Sequence, residues 1–432
     1  MINSSPSNWQ IEHSCPQCGA PVLLAETDRL FSCSFCRVRL FISVTDHFRY
    51  LLTPPAEIAE PLIFVPYWRM KGIVFTLDNS QIESRIVDSS LLAAKALGMP
   101  PSLGVRPQVL KLRYPAPDIP GTFLKPAHSF RMLALGDSVS PVPPARQAQA
   151  NAHSNDFFIG EVVSLIYTPV YTRNGALFDA ILRKPVSSFI PVPLKSALAA
   201  PEALQPDSRS TCSGSDLGGH ISFLPTLCPR CGWDLEGDRD SLVLMCRNCN
   251  SLWQAGSEGM KALDFSFMPM DGESSICLPF WRLRAKVTGL PLDSFADLTR
   301  LANLPPAVLG SHKDAELHFW VPAFKSHPNL FLRLSRSMTV FQPEPDTDSQ
   351  PAKSPLFPVT LPLSEALESI KVLIGSMAVP RRLILPRIPA LTVSLENYSL
   401  VNLPFTEKGE EYIQPKFQMS IQKNALKWGR LI

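Results

Sequence analysis

The sequence predicts an α+β, strand-dominated fold built as a tandem duplication, in which each half is a zinc ribbon followed by a β-rich domain with a short helix. Three observations predict this architecture: two cysteine quartets of identical spacing, a rare tetrapeptide repeated at the same distance from each quartet, and a high proline content. Proline makes up 43 of 432 residues, about twice its usual share. It is disfavoured inside helices and is found in edge strands, turns and linkers.

Length and composition indicate a folded, multidomain chain. At 432 residues the chain is expected to form about two to four domains. The hydrophobic fraction is 45% and the charged fraction 18%, which is typical of globular proteins. The formal charge of +3 becomes −1 if eight thiolates bind two Zn²⁺, so bulk charge does not favour non-specific binding to nucleic acid.

The sequence also bears on location. It begins without a basic segment followed by an apolar run, which argues against a secretory signal. Its best apolar stretch, Pro61–Trp68, is far shorter than the roughly 18 residues that a transmembrane helix needs. We therefore predict a cytoplasmic protein without membrane insertion, whose ten cysteines are thiols or metal ligands and not disulfides.

The two cysteine quartets carry the clearest chemistry in the sequence. In each quartet two Cys-x-x-Cys pairs are separated by fourteen residues, 19–32 in the first and 232–245 in the second. A Cys-x-x-Cys knuckle turns both sulfurs toward one ion, and two knuckles complete a tetrahedron of thiolates. The predicted ligands of two Zn²⁺ per chain are Cys15, Cys18, Cys33, Cys36, Cys228, Cys231, Cys246 and Cys249.

The residues between and beside the knuckles fit a ribbon. Fourteen residues suffice for two short strands and a turn, with Asp28-Arg29 supplying the first turn and Gly237-Asp238 the second. Gly19 and Gly232 each follow a knuckle, where glycine lets backbone N–H groups point at sulfur. A ribbon this short cannot bury a sufficient core, so the metal is expected to stabilise it.

The knuckle sequences CPQCG and CPRCG resemble those of zinc ribbons in basal transcription factors and of rubredoxins. The resemblance covers about 25–30 residues per ribbon and implies a fold and a metal, not an activity. Rubredoxins separate their knuckles more widely, which favours zinc over iron. In addition, the blocks PYWR and SLGVRPQ resemble those of uncharacterised bacterial double-zinc-ribbon proteins, a likeness that covers most of the chain and implies no activity.

The duplication extends beyond the ribbons. The spacing of 213 residues that relates the quartets also relates Pro66–Arg69 (PYWR) to Pro279–Arg282 (PFWR). Later matches keep the order while the spacing drifts, as insertions would cause. They pair Asp88–Pro101 with Asp293–Pro306, Pro115-Ala116 with Pro322-Ala323, and Ser164–Tyr171 with Ser399–Phe405.

Each half therefore has a predicted order of elements. A strand containing Trp68 or Trp281 follows the ribbon, with apolar residues on one face and basic residues on the other. A short helix capped by Asp88 or Asp293 comes next. Further strands are expected near 107–114, 162–172, 178–184, 316–324, 330–341 and 397–405. Residues 361–378 have helical spacing and predict an added helix.

Composition shifts set the predicted boundaries. The predicted domains are ribbon 1 at 1–48, β-rich copy 1 at 49–198, a linker at 199–219, ribbon 2 at 220–260 and β-rich copy 2 at 261–432. Two stretches, 136–155 and 342–355, are rich in Pro, Ser, Ala or acids and read as disordered loops. Cys212 is predicted to be a surface thiol and Cys277 a core residue.

No catalytic motif is recognisable in the sequence. It contains no phosphate-binding loop, nucleophile elbow or His-Glu-x-x-His helix, and four thiolates leave no open position on a metal. The sequence therefore favours a non-enzymatic interaction scaffold or adaptor, although an enzyme with an unfamiliar site stays open. One alternative is a nucleic-acid-binding protein associated with transcription or replication, and another is a rubredoxin-like iron electron carrier.

Protein partners favour aromatic and arginine anchors, and these residue types are found on the ribbons and on the two tryptophan strands. The bases on the strands predict either a partner-binding strip or the solvated face of an edge strand. The candidate partner-binding residues are Phe35, Arg37, Trp233, Trp253, Arg69, Lys71, Arg282, Arg284 and Lys286.

Overall fold

A computed structural model describes the fold as α+β with strands predominating, as predicted. The described residues are 9–55, 58–78, 80–94, 98–116, 119–130, 155–188, 211–212, 221–256, 259–269, 274–305, 316–345 and 354–430. By contacts between residues the chain divides into two compact units. Unit 1 comprises Met1–Lys71, Val87–Pro143 and Val162–Pro225, and unit 2 comprises Gly72–Ile86, Pro144–Glu161 and Thr226–Ile432.

The strands up to residue 212 are β1 Ile11–Ser14, β2 Pro21–Leu24, β3 Leu30–Ser32, β4 Arg39–Ser43, β5 Phe48–Leu52, β6 Ile63–Leu77, β7 Ile82–Leu92, β8 Leu112–Arg113, β9 Thr122–Leu124, β10 Asn155–Arg173, β11 Ala176–Asp179, β12 Pro185–Ser187 and β13 Thr211–Cys212. The later strands are β14 Ser222–Pro225, β15 Leu235–Glu236, β16 Val243–Cys246, β17 Ser251–Gly256, β18 Gly259–Leu263, β19 Phe265–Phe267, β20 Ile276–Thr288, β21 Phe319–Pro322, β22 Thr392–Lys408, β23 Glu411–Gln414 and β24 Met419–Gln422.

The helices lie mainly in the second half. They are α1 Arg106–Val109, α2 Phe295–Leu301, α3 Pro328–Phe341, α4 Leu363–Met377, α5 Arg381–Ile384 and α6 Lys423–Gly429, with 3₁₀ turns at Leu385–Ala390 and Pro415–Phe417. The predicted added helix at 361–378 is confirmed by α4. Residues 330–341, predicted as a strand, instead form α3, because Leu330, Leu334 and Met338 recur at helical spacing and are buried on one side.

The two halves share several strand pairings, although β9 pairs in parallel with β6 and β21 pairs antiparallel with β20. In the first, β6 lies between β9 and β10 and also pairs with β7, β10 pairs in parallel with β5, and β10 continues through a hairpin into β11 and β12. In the second, β20 pairs with β21 and β22, β22 pairs in parallel with β19, and β22 continues into β23 and β24.

The two tryptophan strands differ in burial. In β20 the predicted alternation is confirmed, since Trp281 and Leu283 are buried while Arg284 is exposed. In β6 the prediction of one basic, solvated face is wrong. Every residue from Ile63 to Phe75 is buried, because the strand is covered on both faces.

A set of main-chain bonds surrounds Trp68 in unit 1. Its indole N–H donates to the carbonyl of His128 at 2.7 Å. The N–H of Ala93 donates to the carbonyl of Pro66 at 3.0 Å, and the carbonyl of Ala93 accepts from the N–H groups of Ala127 and His128 at 2.8 and 3.2 Å. Because these groups satisfy one another, the buried backbone around Trp68 is fully bonded.

The same bonds surround Trp281 in unit 2. Its indole N–H donates to the carbonyl of Leu361 at 3.0 Å. Ala323 N–H donates to the carbonyl of Pro279 at 2.9 Å, and the carbonyl of Ala323 accepts from Thr360 and Leu361 at 2.9 and 3.1 Å. Ala323 therefore stands where Ala93 stands in the first half. The sequence match of Ala323 with Ala116 was wrong.

The helix predicted over 88–101 is also wrong. Residues up to Leu92 belong to strand β7, because pairing with the buried β6 outweighs the helix propensity of the Leu-Ala segment. The helix predicted from Asp293 exists as α2, but its N-cap is Ser294, which accepts from Asp297 N–H and forms a capping box with that residue. The strand predicted at 107–114 is α1 followed by the two-residue β8.

The remaining predictions concern four strands, two cysteines and the loops. The strands near 162–172, 316–324 and 397–405 correspond to β10, β21 and β22, whereas the strand at 178–184 ends at Asp179 in β11. Cys277 is buried, as predicted, and Cys212 pairs through its backbone with β9. The loop at 136–155 up to residue 154, residues 346–353, and the linker at 199–219 apart from 211–212 lie outside the described residues.

The cap of α2 gives a test of the local structure. Ser294→Ala removes the hydroxyl that accepts from Asp297 N–H, so we expect the free energy of unfolding to fall by about 1 kcal/mol. Asp293→Ala is the matched control, because only the backbone N–H of Asp293 contacts Asp297. Urea unfolding curves of both variants check the prediction, and an equal loss in the two would contradict it.

Candidate metal centres and partner surface

The structure brings each predicted cysteine quartet together. The ligand atoms of each group lie within 4.8 Å of one another. In the first quartet, Cys15 and Cys36 are 3.7 Å apart at sulfur, and Cys18 and Cys33 are 3.6 Å apart. A tetrahedron with metal–sulfur bonds of about 2.3 Å has edges of about 3.8 Å, so these sulfurs fit around one metal ion.

The second quartet has the same geometry. Cys228 and Cys249 are 3.6 Å apart at sulfur, and Cys231 and Cys246 are 3.4 Å apart. In addition, the Ser251 hydroxyl lies 3.0 Å from the Cys249 sulfur and 3.7 Å from that of Cys228. A hydroxyl in this place can donate to a thiolate and stabilise its charge.

Each knuckle is closed by a residue in the left-handed region. The residue after the second cysteine has a positive φ in all four knuckles: Gly19 (72°), Arg37 (64°), Gly232 (74°) and Asn250 (51°). In three of them this residue also donates its N–H to the first cysteine's carbonyl, at 2.8 to 2.9 Å. The glycine N–H groups, predicted to point at sulfur, thus bind a carbonyl oxygen, while Arg37 and Asn250 adopt the same conformation as the glycines at some steric cost.

Backbone donors make some thiols acidic. Hydrogen bonds from the N–H groups of Cys36 and Phe35 lower the pKa of Cys33 to about 6. Burial opposes ionisation of Cys228, but N–H groups of Arg230 and Cys231 lower its pKa to about 6. In each quartet one thiol is thus readily ionised, which is the form that binds a metal.

The turns between the knuckles match each other in detail. In ribbon 1 the Asp28 carboxylate accepts from Ala25 N–H at 2.7 Å. In ribbon 2 the Ser241 hydroxyl accepts from Asp238 N–H at 2.8 Å. Both turns also contain the backbone bond from the capping residue to the residue three places earlier, at 3.1 Å, so the spacing of 213 residues holds through the turn.

The ribbons pack on opposite sides of their tryptophan strands. Phe31 and Ile42 of ribbon 1 share a core cluster with Tyr67, which precedes Trp68. Val243 and Leu252 of ribbon 2 instead share a cluster with Trp281, while Phe280, the residue that corresponds to Tyr67, lies in another cluster. Each ribbon therefore covers a different face of its own sheet.

Arg69 is a buried ion-pairing residue, so its prediction as a partner contact is wrong. It is 1% exposed. Its guanidinium contacts both carboxylate oxygens of Glu26 at 3.1 and 3.2 Å, meets Asp88 at 2.5 Å, and lies 4.3 Å from the Trp9 ring. Lys71 is also buried, at 8% exposure. Ribbon 1 excludes both from the surface.

The bases of β20 remain at the surface. Arg284 is exposed but ion-paired with Glu316 at 2.6 Å and Glu396 at 3.1 Å. Lys286 is exposed. Arg282 is half-buried, contacts His318 Nδ1 at 3.2 Å, and has an Nε without a hydrogen-bond acceptor. The structure thus divides the predicted strip into a buried part in the first half and an accessible part in the second.

Three of the four predicted ribbon anchors are exposed. Phe35 is 67% and Trp233 59% exposed, and Arg37 is exposed. Trp253 is buried, because it lies in β17 between β16 and β18 and donates its indole N–H to Ser251 at 2.8 Å. The prediction that Trp253 is a tip residue was therefore wrong.

Sequence reasoning missed two groups of partners. Glu26 and Trp9 surround Arg69, but the sequence separation of more than forty residues gave no signal for their contact. Arg430, near the end of the described residues, pairs with Asp238 and Asp240 of ribbon 2 at 2.9 and 2.5 Å.

The chain matches no known protein family, no curated protein and no solved structure. Among the described residues, none of the helices is long and apolar enough to cross a membrane. The two tetracysteine groups, either of which can hold a metal ion, are consistent with ribbon-like sites and are the starting point for a functional proposal.

The ion pair of Glu26 with Arg69 is testable through stability. Glu26→Gln keeps the shape of the side chain and removes its charge, leaving Arg69 buried with a single carboxylate. We expect the free energy of unfolding to fall by about 3 kcal/mol. Glu396→Gln removes a half-exposed partner of Arg284 and should cost less than about 1 kcal/mol. Urea unfolding followed by tryptophan fluorescence distinguishes the two, and similar losses would contradict the assignment.

Proposed function

We propose that this chain is a non-enzymatic zinc-ribbon protein that acts as a scaffold or adaptor for protein partners. The observation that carries the proposal is the pairing of two closed tetracysteine groups with exposed aromatic residues on the ribbons, Phe35 and Trp233. Four protein thiolates fill a tetrahedral metal and leave no position for a substrate. Exposed aromatic side chains are typical anchors of protein interfaces.

The second ribbon offers the clearer apolar surface. Trp233 is 59% and Leu227 51% exposed, and the two flank one knuckle, since Cys228 donates its N–H to the Trp233 carbonyl at 2.7 Å. Arg230 is exposed in the same knuckle. An aromatic, an aliphatic and an arginine held on a rigid knuckle provide a small preorganised anchor for a protein surface.

Charge pairing argues against nucleic acid as the main partner. Arg247, which flanks the second site, pairs with Glu236 at 2.9 Å. A zinc with four thiolates adds a formal charge of −2. Phosphate binding relies on several uncompensated cations along a face, and ribbon 2 has its cations largely offset.

We further propose that the two bound metals are zinc and serve a structural role. The donor set is four sulfurs at tetrahedral separations, which suits zinc or iron, and the close spacing of the knuckles favours zinc. Ligation by reduced thiolates is also what supports a cytoplasmic location.

We also propose that the chain arose by tandem duplication. The main-chain bonds around Trp68 and Trp281, the ribbon turns capped by Asp28 and Ser241, and the common strand order support a shared ancestor for the halves. The short helix following the first strand is not common to both. In the described part of the first half, the helix is the four-residue α1, outside the predicted position.

Metal content tests the zinc assignment. We expect two zinc ions per purified chain by elemental analysis, and one zinc ion after either Cys15→Ser or Cys228→Ser, because each change breaks a separate group. Cys277→Ser, which alters a buried cysteine outside both groups, should leave two. Stoichiometric iron with a visible absorption band would instead identify an electron carrier.

Binding assays test the partner class. We expect Phe35→Ala and Trp233→Ala each to lower the affinity for a protein partner captured from the native host by about tenfold or more. Both variants should keep two zinc ions. A salt series with single- and double-stranded oligonucleotides is the opposing test. Sub-micromolar affinity at physiological salt that falls steeply as salt rises would show that nucleic acid is the partner.

A further inference from the structure

Arg69 and Arg282 occupy corresponding places in the two halves. Each follows the tryptophan whose indole N–H is bound by a main-chain carbonyl. Each also lies on the same face of its strand as the aromatic residue two places earlier, Tyr67 or Phe280. The correspondence makes it informative to compare what surrounds the two guanidinium groups.

In the first half the guanidinium is fully compensated. Glu26 of the ribbon turn binds it through both oxygens, Asp88 of β7 binds it from the neighbouring strand, and the Trp9 ring covers it. A charged group buried to this degree is stable only with such partners. The ribbon turn thus supplies an acidic residue to a receptor arginine within one chain.

In the second half every one of these partners is replaced. The residue 213 positions after Glu26 is Arg239, and the one 213 positions after Trp9 is Ser222. Asp88 lies five residues before Ala93, and the residue five before Ala323 is His318. Burial, together with the charge of Arg282, lowers the pKa of His318 to about 4, so His318 is neutral near pH 7 and supplies no negative charge.

The surroundings of Arg282 are consistent with a missing carboxylate. Within the part of the chain that the structure describes, its guanidinium lies 3.2 Å from Nδ1 of His318. Its Nε is buried and has no hydrogen-bond acceptor. Burial lowers the pKa of Arg282, while the nearby carboxylates of Glu344 and Glu316 act in the opposite direction. The nearby Glu316 is already paired with Arg284.

Ribbon 2 does not cover this face. Its core residues join the cluster that contains Trp281, on the opposite side of β20 from Phe280 and Arg282. Phe280 on this face instead packs with Leu330 and Leu334 of α3. Further along the strand Arg282 is half-buried and Lys286 is exposed, where the first half has a ribbon turn seated on Arg69.

We propose that the Arg282 face of β20 is a docking site for a partner protein that presents a glutamate or aspartate from a turn, in the manner in which ribbon 1 presents Glu26 to Arg69. The inference rests on the proposed scaffold function and on the proposed duplication, and it identifies the chemistry of one partner. Charge complementarity selects the occupant, since a carboxylate can pair with the guanidinium of the half-buried Arg282 and Lys286 adds attraction at the edge.

The direct test uses a cyclic peptide with the sequence of residues 24–29, LAETDR, titrated into the full zinc-loaded chain at low ionic strength. We expect saturable binding that weakens by about tenfold or more when the peptide glutamate is changed to glutamine. Arg282→Gln in the protein should weaken binding to the same degree. Lys427→Gln, an exposed cation on α6, is the control and should leave the affinity unchanged.

A second variant keeps the test valid if Arg282→Gln does not fold. His318→Asp restores the carboxylate that Asp88 provides in the first half, so we expect it to raise the melting temperature by about 2–4 °C and to abolish peptide binding. The reciprocal Asp88→His should lower the melting temperature. A lower melting temperature for His318→Asp, or peptide binding that both unit 2 variants leave unchanged, would overturn the proposal.

The remaining outcomes are also decisive. Absence of saturable peptide binding in a chain that holds two zinc ions and still binds a partner through Phe35 or Trp233 rejects the Arg282 site and leaves the scaffold function standing. Oligonucleotide binding that depends on Arg282 and is tighter than peptide binding assigns the face to nucleic acid and overturns the inference. Loss of zinc stoichiometry would count against the proposed function instead.

Discussion

Four cysteine sulfurs held within 4.8 Å of one another impose the constraint on which each ribbon depends. The neighbouring sulfurs oppose further ionisation. Although the N–H of Val38 favours its thiolate, burial and the three other sulfurs raise the pKa of Cys36 to about 12. A central dication would remove that repulsion and bond all four sulfurs. Strands as short as β15, with two residues, have little else to stabilise them, since a core this small is insufficient by itself.

The same local unit is used in two different ways. Ribbon 1 places its turn over β6, so that Glu26 reaches Arg69, and both residues are buried. Ribbon 2 packs with the Trp281 face, and its turn acids Asp238 and Asp240 pair with Arg430 of the chain's last described turn. The leading strand of ribbon 2, β14, pairs with β4 of ribbon 1. The two ribbons therefore have similar local structures but lie on different faces of their tryptophan strands.

The sequence predicted features that are set locally. The quartets and the helix at 361–378 follow from spacing or periodicity within a few turns, and the structure confirms them. Features that depend on distant packing were missed. The alternation in β6 predicted a solvated face because the sequence does not show that ribbon 1 covers it, and Leu-Ala residues next to Asp88 became strand because β6 offered backbone partners.

Errors in the candidate site have the same origin. Tryptophan and arginine are residue types that favour interfaces, which is why Trp253 and Arg69 were predicted to be partner contacts. Their sequence neighbours do not reveal that β18 pairs with the strand of Trp253 or that Glu26 binds Arg69. The residues that stayed accessible, Phe35 and Trp233, lie within or follow knuckles whose backbone is closed by Arg37 and Gly232, which keeps them out of the core.

The differences between the halves also bear on the proposed scaffold function and the proposed duplication. A repeat that satisfies its own arginine with its own turn is a closed, stable module, and an unpaired receptor arginine in the other repeat costs stability. In the second half the positions that correspond to Glu26, Asp88 and Trp9 hold Arg239, His318 and Ser222, while the arginine is present in both halves. A half-buried cation without these three neighbours lowers the stability of the fold, which disfavours a purely structural role for Arg282. The cost is explained if a bound protein supplies the counter-charge, as the proposed docking site requires.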